Sequence, residues 1–243
     1  MDDLENFLKT PLAHRGLHDE RFDENSLSAF KSAVDHGYGI ELDVHLLKDG
    51  TLAVVHDNYL KRVANLERFV TDMTFEELQS TRLLISKEPI PTLNRVLEVV
   101  NGQVPLLIEM KVDGPFNELL PTLILKLLEN YPKTNNIAIE SFNPYALRWL
   151  AKNHAKKYPY GQLICYNLEG LGKFARFMFN SLFIRFVSKP SFLAFDVNSL
   201  PDKKIRRLRR RGWRVVSWTI DSPEKRLLAE QETDNYIFES IRP

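Results

Sequence analysis

Residues 41–57, ELDVHLLKDGTLAVVHD, carry two strand signals on either side of an Asp-Gly pair. Asp-Gly between apolar runs is the strongest short hairpin signal, so Asp49 and Gly50 are expected at the centre of a two-residue turn. Counting outward from that turn pairs Lys48 with Thr51, Leu47 with Leu52, Val44 with Val55 and Asp43 with His56. Glu41 and Asp43 share one strand face because side chains alternate with period two. Two carboxylates and an imidazole therefore converge on one small patch. Like charges so close repel unless a cation or a substrate stands between them, and a merely structural hairpin has little use for them.

Outward from this hairpin the chain repeats one pattern. Upstream, Pro11 to His14 reads as a short strand ending in Arg15-Gly16. Asp23 to Asn25 offer capping side chains to a helix whose Leu27, Phe30 and Val34 form an apolar stripe, ending near Gly37. Tyr38 to Val44 is the next strand. Downstream, Asn58 to Gly102 shows no core strand but has a capping box at Thr74-x-x-Glu77 and a helix start at Thr92. Val104 to Lys111 resumes the strand pattern and again ends in charges at i and i+2, Glu109 and Lys111. Phe116 to Asn130 reads as a helix, Ile137 to Phe142 as a strand, and Asn143-Pro144 as an N-cap with Pro at N1. Strand signals recur at Tyr160 to Tyr166, Phe192 to Val197, Trp213 to Ile220 and Tyr236 to Phe238, with helices over 201–211 and 223–231. Without the hairpin's return arm that makes eight core strands, which right-handed βα connections close into a (β/α)8 barrel. The expectation is one domain over residues 1–243, with 58–102 as a helical insertion after the second strand's hairpin.

Composition narrows the function. The 243 residues include 33 basic and 32 acidic side chains, a net charge of +1, so bulk charge points to no nucleic acid. The single Cys165 excludes an intramolecular disulfide. The N-terminal MDDLENFLKTPLAHRG lacks a signal-peptide pattern and no apolar run of about 18 residues occurs. A cytoplasmic protein is the expectation.

The strand ends collect His14, Arg15, Glu41, Asp43, His56, Glu109 and Lys111. Three carboxylates are hard oxygen ligands suited to Mg²⁺ or Ca²⁺, and two histidines can divide acid and base duties near neutral pH. Arg15 and Lys111 supply positive charge for an anion such as phosphate. Together these parts describe phosphodiester cleavage. Ordinary salt bridges of Glu41 and Asp43 with Arg15 and Lys111 are the competing reading. His18, His36, His45 and His154 are read as structural.

The order His14-Arg15-Gly16, Glu24-Asn25-Ser26, Glu41-Leu42-Asp43, Asp49-Gly50 and His56-Asp57 resembles the glycerophosphodiester phosphodiesterase family, a group within the phosphatidylinositol-phospholipase-like phosphodiesterase TIM barrels. VTDMTFEEL, PIPTLNRVLEVV, IEMK, ESFNP and VVSWTID extend the resemblance over nearly the whole chain. It implies a TIM barrel, a divalent metal held by Glu41, Asp43 and Glu109, catalytic His14 and His56, and substrate contacts from Arg15, Lys111 and Trp218. The implied reaction is hydrolysis of a glycerophosphodiester to an alcohol and sn-glycerol 3-phosphate. Which histidine is the acid and which the base stays open. Ser26 stands in place of the usual Thr, the segment DERFDENS is charged where many relatives are Gly-rich, and Tyr-Ile-Phe-Glu-Ser replaces an ITD-like run. The alternatives are a lysophospholipase D-like lipid phosphodiesterase and a non-catalytic phosphodiester-binding barrel.

Three stretches carry competing readings. For Trp218, core packing competes with substrate stacking. The basic run KKIRRLRRRGWR, 203–214, reads as a solvated helix face. KFARFMFNSLFIRFVSK, 173–189, mixes five Phe with basic residues. Burial against the barrel is expected for most of those rings, with peripheral membrane contact as the alternative.

Overall fold

The computed structural model describes residues 2–132, 136–153, 157–166 and 172–243. His154 lies outside the described residues. Eight parallel strands close on themselves: β1 (Leu12–Ala13), β2 (Gly39–Leu46), β4 (Leu106–Met110), β5 (Ile137–Ser141), β6 (Tyr160–Ile164), β7 (Phe192–Asp196), β8 (Arg214–Ile220) and β9 (Asn235–Phe238). β1 pairs with both β2 and β9, which shuts the barrel. β3 (Leu52–Val54) is the hairpin's return arm and pairs antiparallel with β2. This is the TIM barrel the strand count predicts.

The hairpin differs from expectation by one residue. The observed pairs are Val44 with Val54, His45 with Ala53 and Leu46 with Leu52. The Gly50 amide donates to the Leu47 carbonyl and Leu47 N–H to the Thr51 carbonyl, while Gly50 sits at φ +90°. Lys48 and Asp49 are thus the central residues of the turn, and Gly50 follows in the left-handed region. A three-residue loop of this kind is the next commonest hairpin connection after the two-residue one. His56 therefore lies past the end of the ladder and not directly opposite Asp43. The helix between β1 and β2, Leu27–Asp35, which follows an N-terminal helix at Asp2–Phe7, is also capped differently: Ser26 accepts from the Ala29 N–H, leaving Asp23 and Asn25 free for other partners. The other capping assignments match. Thr74 and Glu77 form a capping box, and Asn143 accepts from Tyr145 and Ala146 N–H ahead of Pro144.

Period-two alternation divides each barrel strand into an outward and an inward set. Outward residues such as Leu42, Ile108, Ile139 and Leu193 pack on the surrounding helices. Inward residues Leu12, Leu107, Ala138, Leu163, Phe192, Ala194, Val216 and Ile237 fill the barrel interior together with Phe7 and Leu8. Gly161 is required there, since a Cβ at that position would stand 2.3 Å from the Phe192 ring. One inward step further along each strand the character changes to His14, Glu109, Glu140, Cys165, Asp196, Trp218 and Glu239, with Glu41 and Asp43 on β2. An apolar floor thus carries a polar mouth at the C-terminal ends of the strands. Between Asn58 and Gly102 lie short helices at Lys61–Ala64, Val70–Asp72, Phe75–Ser80 and Leu93–Val100. They enclose a separate small core of Leu60, Val63, Val70, Met73 and Leu78 against Leu47 and Val55 of the hairpin.

Candidate active site

β2 delivers two carboxylates and β4 one, in adjacent register: Asp43 is the pairing partner of Glu109. Glu41, Asp43 and Glu109 are all buried, and one oxygen from each lies within 4.8 Å of the others. Such crowding is costly. Burial, with Asp43, Glu109 and Glu140 nearby, pushes the Glu41 pKa well above the usual carboxylate range. Burial likewise pushes Glu109 up to about 7 despite Lys111. Asp43 goes the other way, because Lys111, His56 and Arg15 outweigh its burial.

Lys111 is the cation that holds this set together, with its Nζ 2.9 Å from both Asp43 Oδ1 and Glu109 Oε2. Arg15 supplies more. Its backbone N–H donates to Glu41 Oε2 at 3.0 Å, and its guanidinium lies 3.5 Å from Asp43 and donates to Glu24 at 2.8 Å. That backbone amide can reach Glu41 because Arg15 adopts φ +54° and Gly16 φ +83°, where a Cβ on Gly16 would touch Ala29 at 3.0 Å. Of the salt bridges weighed against a metal set in the sequence, those of Asp43 with Arg15 and Lys111 are present alongside the three clustered carboxylates, whereas Glu41 takes the Arg15 backbone N–H and pairs with neither cationic side chain. The donor set fits a hard divalent cation. It is all carboxylate, and Asp43 Oδ1, although beside Lys111, is buried without a well-directed hydrogen bond.

Both histidines are held through Nδ1 by a carboxylate. His14, directly after β1, meets Glu239 Oε2 at 2.6 Å, while its Nε2 faces Glu41 at 4.0 Å. Glu239 is pushed down to about 2 by the His14 hydrogen bond against its partial burial. His56 Nδ1 meets Asp57 Oδ1 at 2.7 Å, and Asp57 is braced by Arg62 Nε at 2.6 Å. Burial raises Asp57, but Arg62 and His56 prevail and bring it down to about 2. Burial lowers the His56 pKa, and Asp43 only partly offsets it.

Of the residues singled out in the sequence, seven meet here: His14, Arg15, Glu41, Asp43, His56, Glu109 and Lys111. Trp218 is at the same end of the barrel on β8, where it packs edge-on against Phe142 at 5.7 Å, and its Nε1 is buried without a hydrogen-bond partner among the described residues. Both readings of it survive in that geometry. His36 and His45, read as structural, have partners of their own: His36 Nδ1 lies 2.7 Å from the Ser32 carbonyl, and His45 bridges Asp113 to the His56 carbonyl. His18 is not remote, lying 3.6 Å from Glu239 beside a cavity of about 330 Å³ lined by Gly16, Asp19, Glu239 and Arg242.

Sequence reasoning passed over several participants. Asn25 donates to Asp43 at 2.8 Å, Glu24 receives Arg15 and Arg62 together, and Glu140 lies buried on β5 opposite Glu109, its Oε2 without a hydrogen-bond partner among the described residues. Inward parity would have found Glu140 and Glu239, each two residues beyond an apolar floor residue. Arg62, contributed by the helical excursion, has no such signal.

Comparison with known proteins supplies the last observation. The family model described as the glycerophosphoryl diester phosphodiesterase family matches residues 14–241. A glycerophosphodiester phosphodiesterase of Caldanaerobacter subterraneus is 38% identical over 149 residues, which span 58% of this chain and 61% of that relative. Among solved structures, a glycerophosphodiester phosphodiesterase from Thermotoga maritima superposes with a TM-score of 0.72 at 28% identity, covering 93% of this chain and 92% of the other. A phosphodiesterase from Oleispira antarctica in complex with the product sn-glycerol-3-phosphate has a TM-score of 0.82 at 21% identity, covering 96% and 94%, a likeness of fold.

Proposed function

We propose that this chain, which belongs to the glycerophosphoryl diester phosphodiesterase family, hydrolyses glycerophosphodiesters to an alcohol and sn-glycerol 3-phosphate by two-histidine acid–base catalysis, with residues 1–243 working as one unit. The observation that carries the reading is the pair of carboxylate-held imidazoles, His14 with Glu239 and His56 with Asp57, flanking one buried carboxylate cluster. A carboxylate at Nδ1 fixes the ring and favours the proton there, which leaves Nε2 to take or give a proton at the substrate. One imidazole accepts the proton of the attacking oxygen and the other donates to the departing alkoxide. Arg15 and Lys111 orient the phosphoryl oxygens, and Trp218 offers an apolar wall for the glycerol carbons.

Glu41, Asp43 and Glu109 are the residues that would hold a divalent cation, Mg²⁺ or Ca²⁺. Once bound, it would supply neutralisation of the phosphoryl charge and polarisation of the phosphorus. The protein's own part is to hold the three carboxylates together without it. Arg15 and Lys111 do this, and Asn25 fixes Asp43 from the side.

The test is turnover of a panel of deacylated phospholipids with Mg²⁺, Ca²⁺ or a chelator, with glycerol 3-phosphate as the measured product. Metal-dependent release is expected. No turnover on any diester, with thermal stabilisation by the same ligands, would instead establish a phosphodiester-binding barrel. Acylated counterparts in the panel separate the lipid phosphodiesterase alternative.

A further inference from the structure

The connection from β6 to β7 is the expectation that the structure overturns most clearly. Helices Lys173–Asn180 and Ile184–Ser188 bury Phe179, at 6% exposure, but leave Phe174 at 77%, Phe177 at 57%, Phe183 at 49% and Phe186 at 59%. Four of the five rings face outward, against the expectation that most of them pack on the barrel. The helices are short and each can turn only one side inward. Phe179, Leu182 and Ile184 fill that side.

The exposed rings form a surface of their own. Phe177 stacks near Phe183 at 6.3 Å between centroids, and Phe183 meets Phe186 at 5.7 Å. Arg185 lies over the Phe186 ring at 4.2 Å. Lys204 of the helix Lys203–Arg209 donates to the Asn180 carbonyl, and Arg211, two residues past that helix, acts on Arg185, whose pKa burial and this like charge push down. Residues 172–195 and 203–220 contain no Asp or Glu. Arg206 and Arg209 are engaged by Glu232 and Asp234, whereas Arg176, Arg185, Lys189 and Arg211 have no acidic side chain within ion-pair reach among the described residues.

We propose that this helix pair docks the protein on the surface of an anionic lipid bilayer, its Phe rings entering the acyl boundary and its Arg and Lys side chains meeting the phosphate headgroups. Contiguous exposed apolar patches mark interaction sites, and Phe on one side with Lys and Arg around it is the composition of an interfacial helix. Charge complementarity selects the occupant. A second copy of this chain would bring the same patch to itself across a two-fold axis, setting Arg176, Arg185 and Arg211 against their own kind, with no acid within residues 172–195 or 203–220 to receive them. An anionic bilayer supplies the missing negative charge.

Co-sedimentation with vesicles tests this independently of turnover. The parent is expected to partition onto phosphatidylcholine–phosphatidylglycerol vesicles and much less onto phosphatidylcholine alone, with the difference fading at high salt. The triple variant F174S/F177S/F186S should lose at least about tenfold in partitioning. R176Q/R185Q should lose about fivefold per charge removed on the anionic vesicles only. Hydrolysis of a soluble diester should be unchanged in both. Phe177→Trp, which keeps the surface intact, should show added fluorescence quenching by brominated acyl chains. The proposal is overturned if the parent does not bind anionic vesicles, if both sets of variants bind as the parent does, if the indole introduced in place of Phe177 is not quenched, or if the parent is a dimer that the Phe variant turns into a monomer.

Discussion

Lys111→Met removes the cation that lies between Asp43 and Glu109 while keeping most of the side chain's apolar stem. The two carboxylates each lose a partner at 2.9 Å in a buried site. Breaking a buried ion pair by removing one member costs about 3–5 kcal/mol, because the other charge stays buried. Glu109 relieves part of this by binding a proton, since burial already pushes its pKa up to about 7. Asp43 keeps Arg15 at 3.5 Å and Asn25 at 2.8 Å. The expected loss is therefore at the low end, about 3 kcal/mol, which in a chain of this length lowers Tm by roughly 6–12 °C. A divalent cation on the same carboxylates replaces the lost charge, and at a hundred times its Kd it returns about 2.7 kcal/mol. Thermal melts of parent and variant in chelator, Mg²⁺ and Ca²⁺ measure both effects. If the variant in chelator melts with the parent, the ammonium does not hold the cluster together. If neither ion raises the variant's Tm, the three carboxylates are not a cation site.

His14→Ala and His56→Ala should each lower kcat on a diester with a poor leaving group by about a hundredfold or more. A nitrophenyl ester needs no acid and should rescue only the variant lacking it; equal rescue of both, or of neither, refutes the division of labour. Cation binding should expel protons near neutral pH, since Glu109 titrates at about 7 and Glu41 is also raised. Affinity then rises with pH through that range, and calorimetry in buffers of different ionisation enthalpy reads the proton count. Glu239 titrates at about 2 in the fold against an ordinary 4.5, so its pairing with His14 stabilises the protein above about pH 4.5 and that contribution is lost as pH falls towards 2. Denaturant melts of Glu239→Gln should accordingly fall furthest below the parent at neutral pH and converge with it in acid; a gap independent of pH would refute the pairing.

The barrel was readable because each strand declares itself locally. VPLLIEMK and IAIESF carry an apolar run, a period and a polar end within a few residues. The cluster of Glu41, Asp43 and Glu109 was readable for the same reason, as strand ends that parallel pairing must bring side by side. What escaped depends on geometry that alternation does not encode. The hairpin register turned on whether Gly50 closes a two- or a three-residue loop, a difference of one residue that moves His56 off the ladder and past its end. Ser26 took the helix cap that Asp23 and Asn25 could also have served, and each of these has another partner: Asn25, at φ +53°, turns its amide onto Asp43, and Asp23 receives the Ile85 and Ser86 N–H groups of the excursion.

The remaining gap concerns partners far apart in sequence. Glu239 reaches His14 across 225 residues, and Arg62 reaches Glu24 across 38. No spacing rule links such pairs, but barrel closure does for the first. β1 neighbours β9, so the inward residue after each strand, His14 and Glu239, must meet. Applied round the ring, the same parity brings Glu140 beside Glu109. The Phe-rich connection failed for the opposite reason. Its composition was read as core because barrels bury aromatics, yet its helices of eight and five residues have room for few inward rings. Phe179 takes the inward place near Leu182, and the absence of any Asp or Glu from residues 172–195 distinguishes this helix pair from an ordinary solvated helix face.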